Sequence, residues 1–280
     1  MSTQTTNSAG SVVATVAKYL AMLLVTVLVF LPIYWLLTAS VTPTTDIFQF
    51  QWFPTEFEWG NYAAGWASAP FGRFYVNTIV VAVVGTVLEI AVALLSAYAF
   101  AYLRFPRRNL VFLVFLGAMM VPGTVVLMPN YLTIAALGWV NTYMGLIIPG
   151  VGSVFAMFLL RQHMLTLPNE VTDAAKVDGA GHLRTLFSVV IPMSRPMVVT
   201  VAVVALVTKW NDFVWPLVST STNSMRTLPV GLMMIKDTEG FTNWGAVMSA
   251  AVFVIIPVLI VYFIAQRQII SGLTHGATKG

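Results

Sequence analysis

The sequence predicts an all-α polytopic membrane protein that crosses the bilayer six times. Three observations predict it. The chain is 58% apolar and only 9% charged over its 280 residues, with a mean hydropathy of +0.85. Six of its stretches are apolar for about 18 residues or more, enough to cross a ~30 Å hydrocarbon layer as a helix. Lysine and arginine are dense in alternate connecting segments and sparse in the others, as in a chain that weaves through a membrane. Lipid offers no partner to free backbone groups, so the spans must be helices. The chain has no cysteine, which excludes disulfides, cysteine-ligated metals and thiol catalysis.

The elements follow in order. Residues 1–15 form a polar N-terminus without the basic region of a secretory signal, and the apolar run after it is too long for a signal core. It is therefore read as a retained span. The transmembrane domain is 16–265, with spans Val16–Ala39, Tyr75–Ala101, Leu110–Met128, Tyr143–Leu160, Met197–Val218 and Trp244–Ala265. Pro32, Pro122, Pro149, Pro216 and Pro257 predict kinks. Segment 41–73 reads as a loop with a short helix around Trp59–Ala67, and 266–280 as a tail. Lys18, Arg104, Arg107, Arg108, Arg161, Lys176, Arg184, Arg195, Arg267 and Lys279 fall in one set of connections. The other set holds only Arg73, Arg226 and Lys236. The first set is predicted to be cytoplasmic, with both termini inside.

The loop 161–195 carries "NEVTDAAKVDGAG" (169–181). This reads as a short polar helix, with Asn169 as N-cap, or Thr166 with Pro168 just inside. Glu170 and Asp173 suit the positive end of its dipole, and Gly179 is a C′ stop. Ala174 and Ala175 would give it a thin side. A second helix follows, with Leu183, Leu186, Phe187 and Val190 on one stripe and Thr185 facing elsewhere. A solvated connection competes on even terms with a surface built to dock on a partner.

Glu89, Lys209 and Asp212 lie within spans, where charge is costly and faces a cavity or a partner. Glu89 and Lys209 both fall near the midplane at ~1.5 Å per residue, so they could meet. They are read either as lining a path or as a structural pair fixing helix register. Asp212 lies nearer the outer face, where Trp210, Asn211 and Asp212 would shape a gate. His163, His182 and His275 show no metal spacing and read as surface residues.

The spacing of Asp173, Ala174, Ala175 and Gly179, ending in Val189, Val190, Ile191 and Pro192, resembles the Glu-Ala-Ala loop of ABC importer permeases, with Asp173 in place of glutamate. "KWNDFVWPLV" (209–218) and "AQRQIISGLTHGATKG" (265–280) resemble elements of the carbohydrate-uptake class, the latter the tail of its maltose-type second permease. "LSAYAFAYLRFPRRNLVF" and "FLLRQHMLTLPNEVTDAAKVDGA" resemble its glycerol-3-phosphate branch. The resemblance covers about residues 75–280. It implies a type I importer permease fold in a bacterial cytoplasmic membrane and a non-enzymatic subunit that binds no cofactor. Its implied partners are a second permease, two ATPase subunits carrying ATP and magnesium, and an extracytoplasmic binding protein. The implied coupling residues are Asp173, Ala174, Ala175, Asp178, Gly179, Ala180 and Phe187. The implied tail contacts to the ATPase dimer are Gly272, Thr274, Gly276 and Lys279. The implied solute is glycerol-3-phosphate or a glycerophosphodiester such as glycerophosphocholine, with a di- or oligosaccharide as the alternative.

No glycine-rich phosphate loop is present, and nothing points to nucleic acid. A stand-alone secondary transporter is the remote alternative, but no internal repeat supports it. An intramembrane enzyme would need histidines or paired aspartates at one depth, which the spans lack.

Overall fold

The computed structural model describes residues 9–49, 51–235 and 243–274, and all regular structure in them is helical. The chain divides into two compact units, Met1–Ala69 with Ile235–Phe253, and Pro70–Met234 with Val254–Gly280. Three helices are long and apolar enough to cross a membrane: Val12–Ser40, Phe71–Tyr102 and Trp244–Gln266. Three further bent pairs pass the same test of length and composition together, which makes up to six spans.

In the first unit, α1 (Ala9–Ser40) runs unbroken through Pro32. The expected short helix is present as α2 (Gly60–Ala67). Asn61 joins it to the end of α1: its buried amide donates to the Ser40 and Thr42 carbonyls at 3.2 and 2.9 Å. Ser249, near the start of α14 (Trp244–Thr274), donates to the Asn61 carbonyl at 2.7 Å. A Cβ on Gly65 would lie 2.8 Å from the Ala246 carbonyl, so that position must stay bare.

The second unit is built on α3 (Phe71–Tyr102), which packs along α7 (Val154–Met164) and α11 (Arg195–Trp210). Small residues on α3 allow close approach: Ala82, Ala93 and Ala97 are essentially inaccessible. The core below them combines Leu94, Phe100, Phe112, Leu160, Met164, Leu186, Val190 and Val201. Arg161 closes one end, donating to the Phe100 carbonyl at 3.2 Å and lying 4.0 Å over the Phe112 ring.

Three expected spans are corrected. Leu110–Met128 is not one rod: α4 (Arg108–Ala118) and α5 (Gly123–Ala136) meet at 96° across a break ending in Pro122. The proline removes a helical donor and biases the residue before it away from α-helical geometry. Tyr143–Leu160 splits into α6 (Tyr143–Ile147), continued by a tighter turn Ile148–Gly150, and α7, at 44°. Met197–Val218 ends its main helix at Trp210, and α12 (Val214–Ser219) follows a break at 211–213. Conversely, Pro257 and also Pro129 sit inside continuous helices. The helix holding Pro257 continues to Thr274, past the expected boundary at 265. Gly272 and Thr274 therefore belong to it, while Gly276 and Lys279 lie outside the described residues, as does His275.

Candidate functional site

Two regions of the second unit gather the residues singled out above. The first is the polar loop. Its helix is α8 (Asn169–Val177), with Pro168 at the N-cap position and no side-chain cap. Asn169 is thus the first helical residue, and Thr166 is engaged backwards, donating to the His163 carbonyl at 2.8 Å. His163 itself is half-buried, not a surface residue. The C-terminal end follows the prediction. Gly179 has φ +74°, which favours glycine. Its N–H donates to the Lys176 carbonyl at 3.0 Å, and that of Ala180 to the Ala175 carbonyl at 2.9 Å, the reciprocal pair of a Schellman stop.

The two alanines do not share a face. Thr172 and Ala175 are buried toward the chain, whereas Asp173, Ala174 and Asp178 face outward. Val177 stands out as 87% exposed, an apolar side chain at the end of a polar helix. Its signal was present in the sequence as the only large aliphatic residue besides Val171 in a nine-residue polar helix. Asp173 and Lys176 pair at 2.7 Å, one turn apart and well solvated, an arrangement that contributes little stability.

The following helix corrects the expected stripe. α9 (His182–Thr185) widens into π-type winding over Leu186–Val190 and leads into α10 (Ile191–Met193). Leu186 and Val190 are buried in the core, but Leu183 and Phe187 are 64% and 61% exposed, and Thr185 takes the buried place. Winding wider than 3.6 residues per turn shifts the phase of each side chain, so a stripe drawn for an α-helix does not stay on one face. Phe187 and Leu183 thereby join Ala174 and Val177 as apolar groups open to a partner.

The second region is a cavity of about 200 Å³ lined by, among others, Val81, Gly85, Asn130, Lys209, Asp212 and Trp215. The Lys209 Nζ reaches across α3 to Glu89 Oε2 at 2.8 Å and donates to the Gly150 carbonyl at 2.9 Å. The two in-span charges therefore meet, and both are mostly shielded. One lysine thus ties α11, α3 and the turn before α7. The lysine stem fits because Gly85, one turn before Glu89, has no side chain: a Cβ there would lie 2.9 Å from Lys209 Cδ. Gly85→Ala is accordingly expected to lower the thermal stability of the solubilised protein by about 1–3 kcal/mol, an overpacking cost, read as a lower unfolding midpoint.

The expected gate residues separate. Asp212 lines the cavity with Lys209. Trp210 turns away and donates through Nε1 to the Val254 carbonyl at 3.1 Å, and Asn211 bonds back to the Val207 carbonyl at 2.9 Å. Sequence reasoning missed Asn77, fully buried on α3. Its amide donates to the Ser224 and Arg226 carbonyls at 2.9 and 2.8 Å and accepts from Tyr143 at 2.7 Å, clamping the segment after α12. A buried asparagine that satisfies its groups this fully is a fixed joint.

Residues 89–275, which hold the polar loop and the cavity wall from Gly123 to Trp215, match the family described as binding-protein-dependent transport system inner membrane component. The chain belongs to that family. It is an inner-membrane permease of the ABC importer type. The chain is 37% identical to the sn-glycerol-3-phosphate transport system permease protein UgpE of Yersinia enterocolitica over 262 residues, 90% of this chain and 93% of that one. It is 36% identical to the UgpE of Pectobacterium atrosepticum with the same coverage. A bacterial ABC transporter involved in the import of the acidic polysaccharide alginate has a chain of the same fold. The TM-score is 0.84 at 22% identity, covering 94% of this permease and 99% of that chain.

Proposed function

We propose that this permease forms half of the translocation path of an ATP-driven importer for sn-glycerol-3-phosphate or a glycerophosphodiester such as glycerophosphocholine. The observation that carries the mechanism is α8. It is a helix stopped by Gly179, seated on its own chain through Thr172 and Ala175, and presenting Ala174, Val177 and Asp178 outward. A helix so built is a rigid lug. In this reading it sits in a groove of one of two ATPase subunits, which hold ATP and magnesium. A second permease carries the matching helix, and closure of the ATPase pair draws the two together.

The substrate reading is supported by the UgpE relatives, named for sn-glycerol-3-phosphate transport, which match nine-tenths of the chain. The topology in this reading has six spans: α1, α3, α4 with α5, α6 with α7, α11 with α12, and α14. Residues 1–15, the loop 161–195 and the tail 266–280 lie in the cytoplasm, as the arginine and lysine distribution favours. A binding protein delivers the solute to the opposite face. Lys209 and Glu89 line the path at mid-depth, with Asp212 nearer the outer face, and the tail from Gly272 to Lys279 reaches the ATPase dimer.

The test is the ATPase rate of the complete complex reconstituted in liposomes with its binding protein. Stimulation by sn-glycerol-3-phosphate or glycerophosphocholine of about tenfold, corresponding to ~1.4 kcal/mol of differential stabilisation, is expected. Stimulation by maltose or a longer oligosaccharide instead would replace the substrate reading and leave the coupling reading intact.

A further inference from the structure

The loop after α1 folds back along that helix. It leaves α1 at Ser40 and is tied back to the same level at Glu58, whose N–H donates to the Val41 carbonyl at 2.7 Å. Between these points it descends. The Tyr34 hydroxyl donates to the Trp52 carbonyl, and the Tyr34 ring meets the Phe53 ring edge-on at 6.3 Å between centroids. Tyr34 lies six residues before Ser40, so Trp52 and Phe53 sit beside α1 about 9 Å below its end at 1.5 Å per residue.

That depth places them within lipid. From Lys18 the next polar cluster on α1 is Thr38 and Ser40. The intervening 20 or so residues span about 30 Å, the thickness of the hydrocarbon layer. The leaflet boundary therefore falls near Thr38–Ser40. Yet Phe53 is 75% exposed and Trp52 59%, on a helix whose apolar window has none of its residues buried in the chain. The charges of the loop, Asp46, Glu56 and Glu58, lie on its two arms and not at its tip.

We propose that residues 51–53 are a lipid anchor. The tip of the loop inserts into the leaflet at the C-terminal end of α1, with the Trp52 and Phe53 rings among headgroups and upper acyl chains. Tyr34 is the residue that holds it down. Aromatic rings favour that depth, and the hook gives the C-terminal end of α1 a lipid hold.

The chain's lack of cysteine makes the test direct. Phe53→Cys and Glu56→Cys each introduce one thiol into the intact importer in liposomes, provided the partner chains are made cysteine-free. With a membrane-impermeant maleimide, the Phe53→Cys thiol is expected to react about tenfold or more slowly than the Glu56→Cys thiol, corresponding to ~1.4 kcal/mol in favour of the shielded position. A fluorophore placed there through a permeant reagent is expected to be quenched by lipids carrying a nitroxide near the headgroup, and one at Glu56→Cys is not. Equal reactivity at the two positions would overturn the anchor. Protection of Phe53→Cys without nitroxide quenching would also overturn it, because protein and not lipid would then cover the tip.

Discussion

Lys209→Met is expected to destabilise the permease by about 3–5 kcal/mol, the usual consequence of leaving a buried charge without its partner. Glu89 is only 7% exposed, and Lys209 is its ion-pair partner at 2.8 Å. Removing the lysine also frees the Gly150 carbonyl, which it holds at 2.9 Å. Glu89→Gln alone is milder, because Lys209 keeps that carbonyl and the neutral amide can still accept a hydrogen bond. The measurement is the yield and thermal midpoint of the assembled complex. If Lys209→Met leaves both at wild-type values, the pair is not a structural tie.

The double variant separates the tie from the path. With Glu89→Gln and Lys209→Met together, neither charge is stranded, and replacing a buried pair by neutral groups is often harmless to folding. Assembly is therefore expected to recover. Uptake in liposomes then decides the role. If transport recovers with assembly, the pair only sets the register of α11 on α3. If it stays at least about tenfold low, corresponding to ~1.4 kcal/mol, the charges act on the solute or on the moving helices, as the position of Lys209 in the cavity wall suggests.

Much of this was legible in the sequence because it depends on pattern and depth. Apolar length located the three long apolar helices α1, α3 and α14, and counting 1.5 Å per residue brought Glu89 and Lys209 together. Gly179 could be read as a stop because few other residues adopt its backbone angle at little cost. The breaks were not legible. Pro122 stands in the break just before α5 whereas Pro257 lies inside a continuous helix, since neighbouring groups decide whether the freed backbone is satisfied. Nor could Gly85 be known as the slot for the Lys209 stem, because that requirement arises only when two distant helices are placed side by side. The π-type winding at 186–190 likewise turned Phe187 outward against a regular stripe.

Ala174→Asp and Val177→Asp are each expected to detach the ATPase while leaving the permease folded. Both side chains face outward, Val177 with 87% of its surface free. Burying a valine under a partner contributes about 1.5–3 kcal/mol. An aspartate there forfeits that and strands a desolvated charge, so a loss of about 3 kcal/mol or more, roughly 100-fold in Kd, follows. Ala175→Asp must behave differently. Ala175 is buried against its own chain, so a carboxylate there lifts α8 off its seat and costs folding as well as docking. The comparison needs only co-purification of the ATPase with each variant beside the variant's own thermal midpoint. Loss of the ATPase at an unchanged midpoint for residues 174 and 177, with a lowered midpoint for 175, marks the outward face as the contact. Retention of the ATPase by Val177→Asp would move the contact away from α8, to the exposed Leu183 and Phe187 beyond the Gly179 stop.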